Sequence, residues 1–235
     1  MARSNHNKLI RAKTKRVSIP RDFRTVGQLR KRACGETGNT TDVGFSPPED
    51  WHEPQGETGA RYRVITQDPG EGFVHVVSEQ DVRDRLAKLP SWMLEPLEVV
   101  QLSRLTRKKL SYPCYGMQWG SALYLYPMDE TLTEYFYTPP RPAQVVEAKM
   151  YGAKWEGGDD GEWRLVWTQE AIRDFYLNNV LIHELGHLLD NRNTSYVDRE
   201  RYAEWFAIEY GYRPTRRQSL AAQAAKKVVR RHHSS

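Results

Sequence analysis

The sequence predicts an α+β domain: a mixed or antiparallel sheet packed on one long buried helix, with a short glutamate-bearing helix close behind it. Three observations lead there. β-branched and aromatic runs recur between residues 61 and 168. From about Thr168 to Leu189 a helical repeat carries apolar residues on both of its sides, the pattern of a helix buried between layers. A second helical stretch, Ser195 to Gly211, places Glu200 and Glu204 one turn apart.

Composition sets the limits. A chain of 235 residues can bury a real core, and its 28% charged and 11% aromatic content excludes a wholly disordered protein. No apolar run reaches the ~18 residues of a spanning helix, so no transmembrane segment is expected. The basic N-terminus is followed by no apolar h-region, so no secretory signal is read; a cytoplasmic setting is expected, with export by another route as the alternative. Cys34 and Cys114 are too few for a disulfide framework and are read as two free thiols.

The net charge of +5 is unevenly spread. Residues 1–32 hold eleven Lys/Arg against one acid, or +10, and residues 211–235 hold seven and none, or +7. The remaining 33–210 therefore carry 5 − 17 = −12. Basic ends of this kind attract anionic partners, nucleic acid or an acidic protein, or serve as solvated tails. Three regions follow: a basic segment and flexible linker over 1–60, one folded domain over 61–212, and a basic tail over 213–235.

Within the domain, runs 61–66 and 72–77 read as strands split by a turn at Asp68, Pro69 and Gly70. Ser78 and Asp81 form a capping box ahead of a helix over 79–89. Leu97 to Leu105 reads as strand or short helix. Residues 122–126 and 134–138 read as strands, and 145–155 with 162–168 as a hairpin with a long tip. The later strand, 162–168, is the expected edge for an extended substrate. Gly211 and Pro214 are expected to end the last helix.

The chemistry lies in His183, Glu184 and His187, a His-Glu-x-x-His motif on the long helix. Histidines four apart sit one turn apart on one face, so both reach one metal ion, while Glu184 lies roughly 100° round, beside the ion, where a general base would act on water. A catalytic zinc takes three protein ligands. The metzincin pattern would need Gly and His where this chain has Asp190 and Asn193, which rejects that class. Of Glu200 and Glu204, one can be the third ligand and the other can accept from a ligand imidazole. Asp190 is a further acceptor candidate for that outer shell.

His183 to Asp190 followed by Glu200, Tyr202, Ala203, Glu204 and Phe206 resembles the gluzincin metallopeptidases, in particular the anthrax-lethal-factor-like and Pro-Pro endopeptidase group, and more loosely the ImmA/IrrE-type peptidases. The likeness covers residues 180–210. It implies a zincin-like fold and a Zn2+ ion held by His183, His187 and Glu200. It also implies hydrolysis of a protein or peptide substrate with Glu184 as base. The lethal-factor-like group carries a tyrosine ahead of its ligand glutamate that assists the transition state. Tyr196 stands in that place at a shorter interval, and Tyr202 is the other donor toward a developing oxyanion. The competing reading is a non-catalytic nucleic-acid- or protein-binding chain with basic ends and a structural or vestigial zinc site.

Overall fold

The computed structural model describes residues 48, 50–53, 62–106, 114–157 and 161–220. Cys34 and both basic ends up to residue 47 and from 221 lie outside them, and so does the stretch 25–33, which the sequence reads as a short helix. Described residues form a mixed α+β arrangement in which sheets and helices share one main core.

The largest sheet has four strands: β1 (Arg63–Thr66), β3 (Val99–Leu102), β5 (Ala122–Leu125) and β4 (Gly116–Trp119), in the spatial order β1-β3-β5-β4. β1, β3 and β5 run parallel, and β4 folds back antiparallel on β5. Parallel neighbours need a crossover. The one between β1 and β3 contains β2 (Phe73–Val74) and helix α1 (Glu79–Leu86). Ser78 caps α1: its Oγ accepts from the Asp81 amide at 3.2 Å, and Asp81 Oδ2 accepts from the Ser78 amide at 2.9 Å, so the expected box is present.

β3 and β5 are buried along their whole length, as strands covered on both faces are. Val100, Leu102, Leu123 and Leu125 face the helices and join the main core. Val99, Ala122 and Tyr124 face the other way, into a smaller cluster with Met117 and Tyr126. Residues 50–53, assigned by composition to the linker, lie against this back face. The His52 amide donates to Tyr124 Oη at 3.0 Å, its ring Nε2 lies 2.7 Å from Gln101 Oε1, and Arg104 pairs with Asp50 at 3.0 Å.

β6 (Met128–Asp129) pairs with β2. A third sheet has the order β7-β9-β8, built from β7 (Thr133–Phe136), β8 (Lys154–Gly157) and β9 (Trp163–Val166), all antiparallel. Two expectations change here. Residues 142–151 form helix α2 (Pro142–Tyr151) instead of the first strand of a hairpin; the strand starts only at Lys154. Pro142 sits at the helix start, where a missing N–H is harmless, and Gly152 ends the helix at φ 86°. That proline–glycine frame outweighs the β-branched pair Val145 and Val146. β9, taken as a free edge, is the middle strand, hydrogen-bonded on both sides, and cannot receive an extended partner.

The long helix covers the expected span but in three pieces: α3 (Gln169–Phe175), a π-helical turn (Tyr176–Val180) and α4 (Leu181–Leu189). Thr168 caps it, its side chain accepting from the Ala171 amide at 3.1 Å. Helix α5 (Tyr196–Phe206) returns antiparallel and passes into a second π-helical turn (Ala207–Tyr212). It does not stop at Gly211 and Pro214: helix continues over 213–220. In an α-helix the amide of residue 214 would donate to the carbonyl of residue 210. Pro214 has no amide hydrogen, and the wider turn just before it absorbs the defect. Among the described residues no helix is long and apolar enough to cross a membrane.

Candidate metal centre

α4 meets two neighbours. Val180 and Glu184, one turn apart, face β4, and Gly186 faces α5. Both contacts are close. A Cβ on Gly116 of β4 would lie 2.7 Å from Val180 Cγ1, 3.0 Å from Glu184 Cγ and 3.1 Å from Glu184 Oε1. A Cβ on Gly186 would lie 3.0 Å from Phe206 Cβ and 3.1 Å from the Ala203 Cα. Glycine at these two places lets a strand and a helix approach the motif-bearing helix closely enough to build a site on it.

Three side chains converge there. His183 and Glu200 are 1% and 2% exposed, and His187 is half-buried. His183 Nε2 and His187 Nε2 are 3.0 Å apart; Glu200 places Oε1 3.2 Å from His187 Nε2 and Oε2 3.7 Å from His183 Nε2. Ligands ~2.0–2.2 Å from one ion in a tetrahedral array are separated by about 3.3 Å. The observed separations fall around that value. Glu200 Oε2 is moreover a buried oxygen with no hydrogen-bond donor, an arrangement that is expensive unless something positive completes it. The cluster can hold a metal ion, and its donor set of two imidazoles and a carboxylate suits a divalent transition metal.

Glu184 is buried at 4% exposure and is not part of the cluster. It stands one residue on from His183, its carboxylate lying against the Gly116 backbone. Next to Gly116, the Tyr115 hydroxyl donates to both oxygens of Glu134 on β7 at 2.7 Å, and Trp167 Nε1 donates to Glu134 Oε1 at 2.9 Å. The Tyr115 ring stands edge-on to Phe175 and Tyr176, with centroids 5.1 and 5.9 Å away. Burial raises the Glu134 carboxyl above its ordinary value against the pull of the two donors, and burial likewise pushes the Tyr115 phenol well up, with Glu134 adding to it. Tyr115 thus ties β4, the third sheet and the long helix together where Glu184 is seated. Gly116, Tyr115 and Glu134 were not singled out from the sequence. A lone glycine between aromatic and apolar residues was the available signal, since such a glycine often marks a close backbone approach.

The remaining expected residues separate. Glu204 is exposed, in contrast to Glu200. α5 buries Glu200, Ala203 and Phe206, with Ala207 just beyond its end, and at about 100° per residue that face is centred roughly 90° away from Glu204. The expected role of Glu204 as an acceptor for a ligand imidazole is therefore not supported. Asp190 ends α4 and turns its carboxylate to the following loop, accepting from the Asn193 amide at 3.2 Å and from Asn193 Nδ2 at 3.0 Å. It shapes the connection between the two helices, which replaces the outer-shell role expected for it. Tyr202 lies about 160° round α5 from Glu200. Its ring sits under the Arg192 guanidinium and against Trp205 and Phe206, which removes it as an oxyanion donor. Tyr196 opens α5 one turn before Glu200, half-buried. Cys114 lies half-buried just ahead of β4.

Compared with protein families, curated proteins and solved structures, the chain gives no match, so its own residues carry the functional reading.

Proposed function

We propose that the protein is a zinc-dependent metallopeptidase of zincin-like fold. His183, His187 and Glu200 would hold the zinc ion, and Glu184 would act as general base. The observation that carries this reading is the division of labour among four groups, three of them buried and His187 half-buried. Three donors gather around one point, while the fourth, Glu184, is kept out of the cluster and braced against β4. A structural zinc site is normally closed by four protein ligands, whereas catalytic sites use three and keep a position open. Among the described residues this cluster has three. The four-stranded sheet on the motif helix, the glutamate-bearing helix behind it and the resemblance to gluzincins support the same conclusion.

Zinc would supply Lewis acidity toward a peptide carbonyl and toward water. Glu184 accepts the proton of the attacking water and returns it to the leaving amine. Its burial against β4 keeps that carboxylate out of bulk solvent and close to the ligands. β4 also replaces β9 as the strand beside which a substrate would lie, because Gly116 is where strand and base meet.

Metal analysis of the purified wild type beside Glu184→Gln, with a peptide-library cleavage assay on both, tests the proposal. The expected result is about one zinc per chain in both proteins and cleavage by the wild type alone. A wild type without bound metal, or a Glu184→Gln variant that cleaves as well as the wild type, would overturn it.

A further inference from the structure

The two helices that carry the metal ligands are joined a second time, well away from the ligands. The π-helical turn before α4 packs against the π-helical turn after α5, and more closely than at Gly116 or Gly186: a Cβ on Gly211 would lie 1.9 Å from the Asn178 carbonyl oxygen. This contact and the Gly186–Ala203 contact belong to one antiparallel register. They are eight residues apart on the first helix (178 to 186) and eight on the second (203 to 211). Glu200 reaches the two histidines only in that register.

Arg85, on α1, is buried at the upper junction. Its Nε donates to Asn178 Oδ1 at 2.6 Å and its Nη2 to the Tyr210 carbonyl at 2.5 Å, one acceptor on each π-helical turn. The Tyr210 carbonyl is the one that the amide of residue 214 would take in an ordinary helix, and Pro214 leaves it to Arg85. Asn178 Nδ2 donates in turn to Asp174 at 2.7 Å, and Asp174 receives Arg216 at 2.6 Å. Burial lowers the Arg85 guanidinium to about 10, so it stays charged at neutral pH.

We propose that Arg85 is a positioning residue of the metal centre: by bridging the two π-helical turns it fixes the register of α5 on α4 and with it the place of Glu200. The proposal rests on the metal-centre reading above. A slip of one helical turn would move Glu200 by about 5.4 Å, against a tolerance of ~0.2 Å in metal–ligand distances. Among the described residues the main packing partner of α5 is α4.

The test uses the full-length chain and cobalt(II) or zinc titrated against a chromogenic chelator, with the cobalt(II) absorption spectrum as a report on ligand geometry. Arg85→Met should bind metal about 10–100-fold more weakly than the wild type and show an altered cobalt spectrum. Arg85→Lys, which keeps the charge but not the fork, should fall between them. Val99→Ala, a cavity on the back face of the sheet, away from the two ligand-bearing helices, should lower Tm while leaving affinity and spectrum at wild-type values. If Arg85→Met does not fold, Arg85→Lys decides: a weakened affinity supports the proposal, and a wild-type affinity and spectrum overturn it. An Arg85→Met protein with wild-type affinity, or a Val99→Ala protein that loses as much, also overturns it. A wild type that binds no metal fails the metal-centre reading itself and takes this inference with it.

Discussion

The two ligand-bearing helices are built differently. α4 is buried on all sides over Leu181–Gly186, clamped between β4 at Gly116 and α5 at Gly186. α5 buries only Glu200, Ala203 and Phe206, and it leaves Val197, Arg201 and Trp205 to solvent. His183 is therefore part of the core and cannot move without disturbing the fold, and half-buried His187 follows it one turn on along the same helix. Glu200 is buried but hangs on a helix held from one side. The difference separates two kinds of damage: changes around α4 should unfold the protein or displace its base, and changes along α5 should empty the metal centre of a folded one.

Gly186→Val is the severest way to break this contrast, because it strikes the shared surface. A Cβ placed 3.0–3.2 Å from Phe206 and Ala203, with two methyl groups added to it, must drive the helices apart. Overpacking of this kind costs about 1–3 kcal/mol, and Tm should fall by several degrees. Metal affinity should drop on the order of 100-fold as Glu200 withdraws. Unchanged affinity in a folded Gly186→Val protein would mean that Glu200 is not positioned through this contact.

Next in size is the pair Glu200→Ala and Glu204→Ala. The first removes the buried carboxylate and should abolish tight metal binding; the second removes an exposed one and should change affinity less than about twofold. The reverse order would place the third ligand one turn along. Gly116→Ala probes the other side of α4. Its Cβ meets Val180 and Glu184, not the ligands, so metal content should stay at the wild-type level while peptide cleavage falls by about tenfold or more. Loss of metal in this variant would show that β4 supports the histidines and not the base.

What the sequence allowed follows the same division. His183, Glu184 and His187 were legible because their chemistry is written in a helical period that the long apolar repeat independently supports. From spacing alone Glu200 was legible only as one of two glutamates, and it was the resemblance that singled it out. The apolar pattern could not, because the outward aromatics Tyr202 and Trp205 blur the apolar face of α5 and leave its rotation open. β4 was missed for a related reason. Gly116, Met117, Gln118 and Trp119 show no alternation, since Met117 packs on the back of the sheet while the opposite position is a glycine chosen for its lack of a side chain. The π-helical turns have no sequence signature of their own. Each depends on tertiary partners, Asn178 and Tyr210 sharing one arginine from a helix about a hundred residues away in one case and more in the other.

α1 offers the finest test of the contrast between buried and exposed control, because one face of it carries both. Arg85 enters the core to reach Asn178, and one turn earlier Asp81 pairs with Arg173 of α3 at the surface. The hydrogen bond from Arg173 holds the Asp81 carboxyl down at about 2, from an ordinary 3.8. A carboxyl depressed in the folded state adds stability above its unfolded value and loses it as pH falls toward the folded one. The contribution of Asp81 should accordingly be full at pH 7 and fade between about pH 4 and 2. Half of the Arg173 side chain is exposed, so solvent screening limits the pair to about 0.5 kcal/mol. In urea denaturation Asp81→Asn should lower the midpoint slightly at pH 7, less in 1 M salt, and by a shrinking margin as the pH is taken from 4 to 3. Metal affinity at pH 7 should not change, since this pair touches the long helix ahead of the π-helical turn and leaves the register of α5 to Arg85. A metal-binding defect in Asp81→Asn as large as that of Arg85→Met would mean that α1 as a whole, and not its buried arginine, sets the ligand geometry.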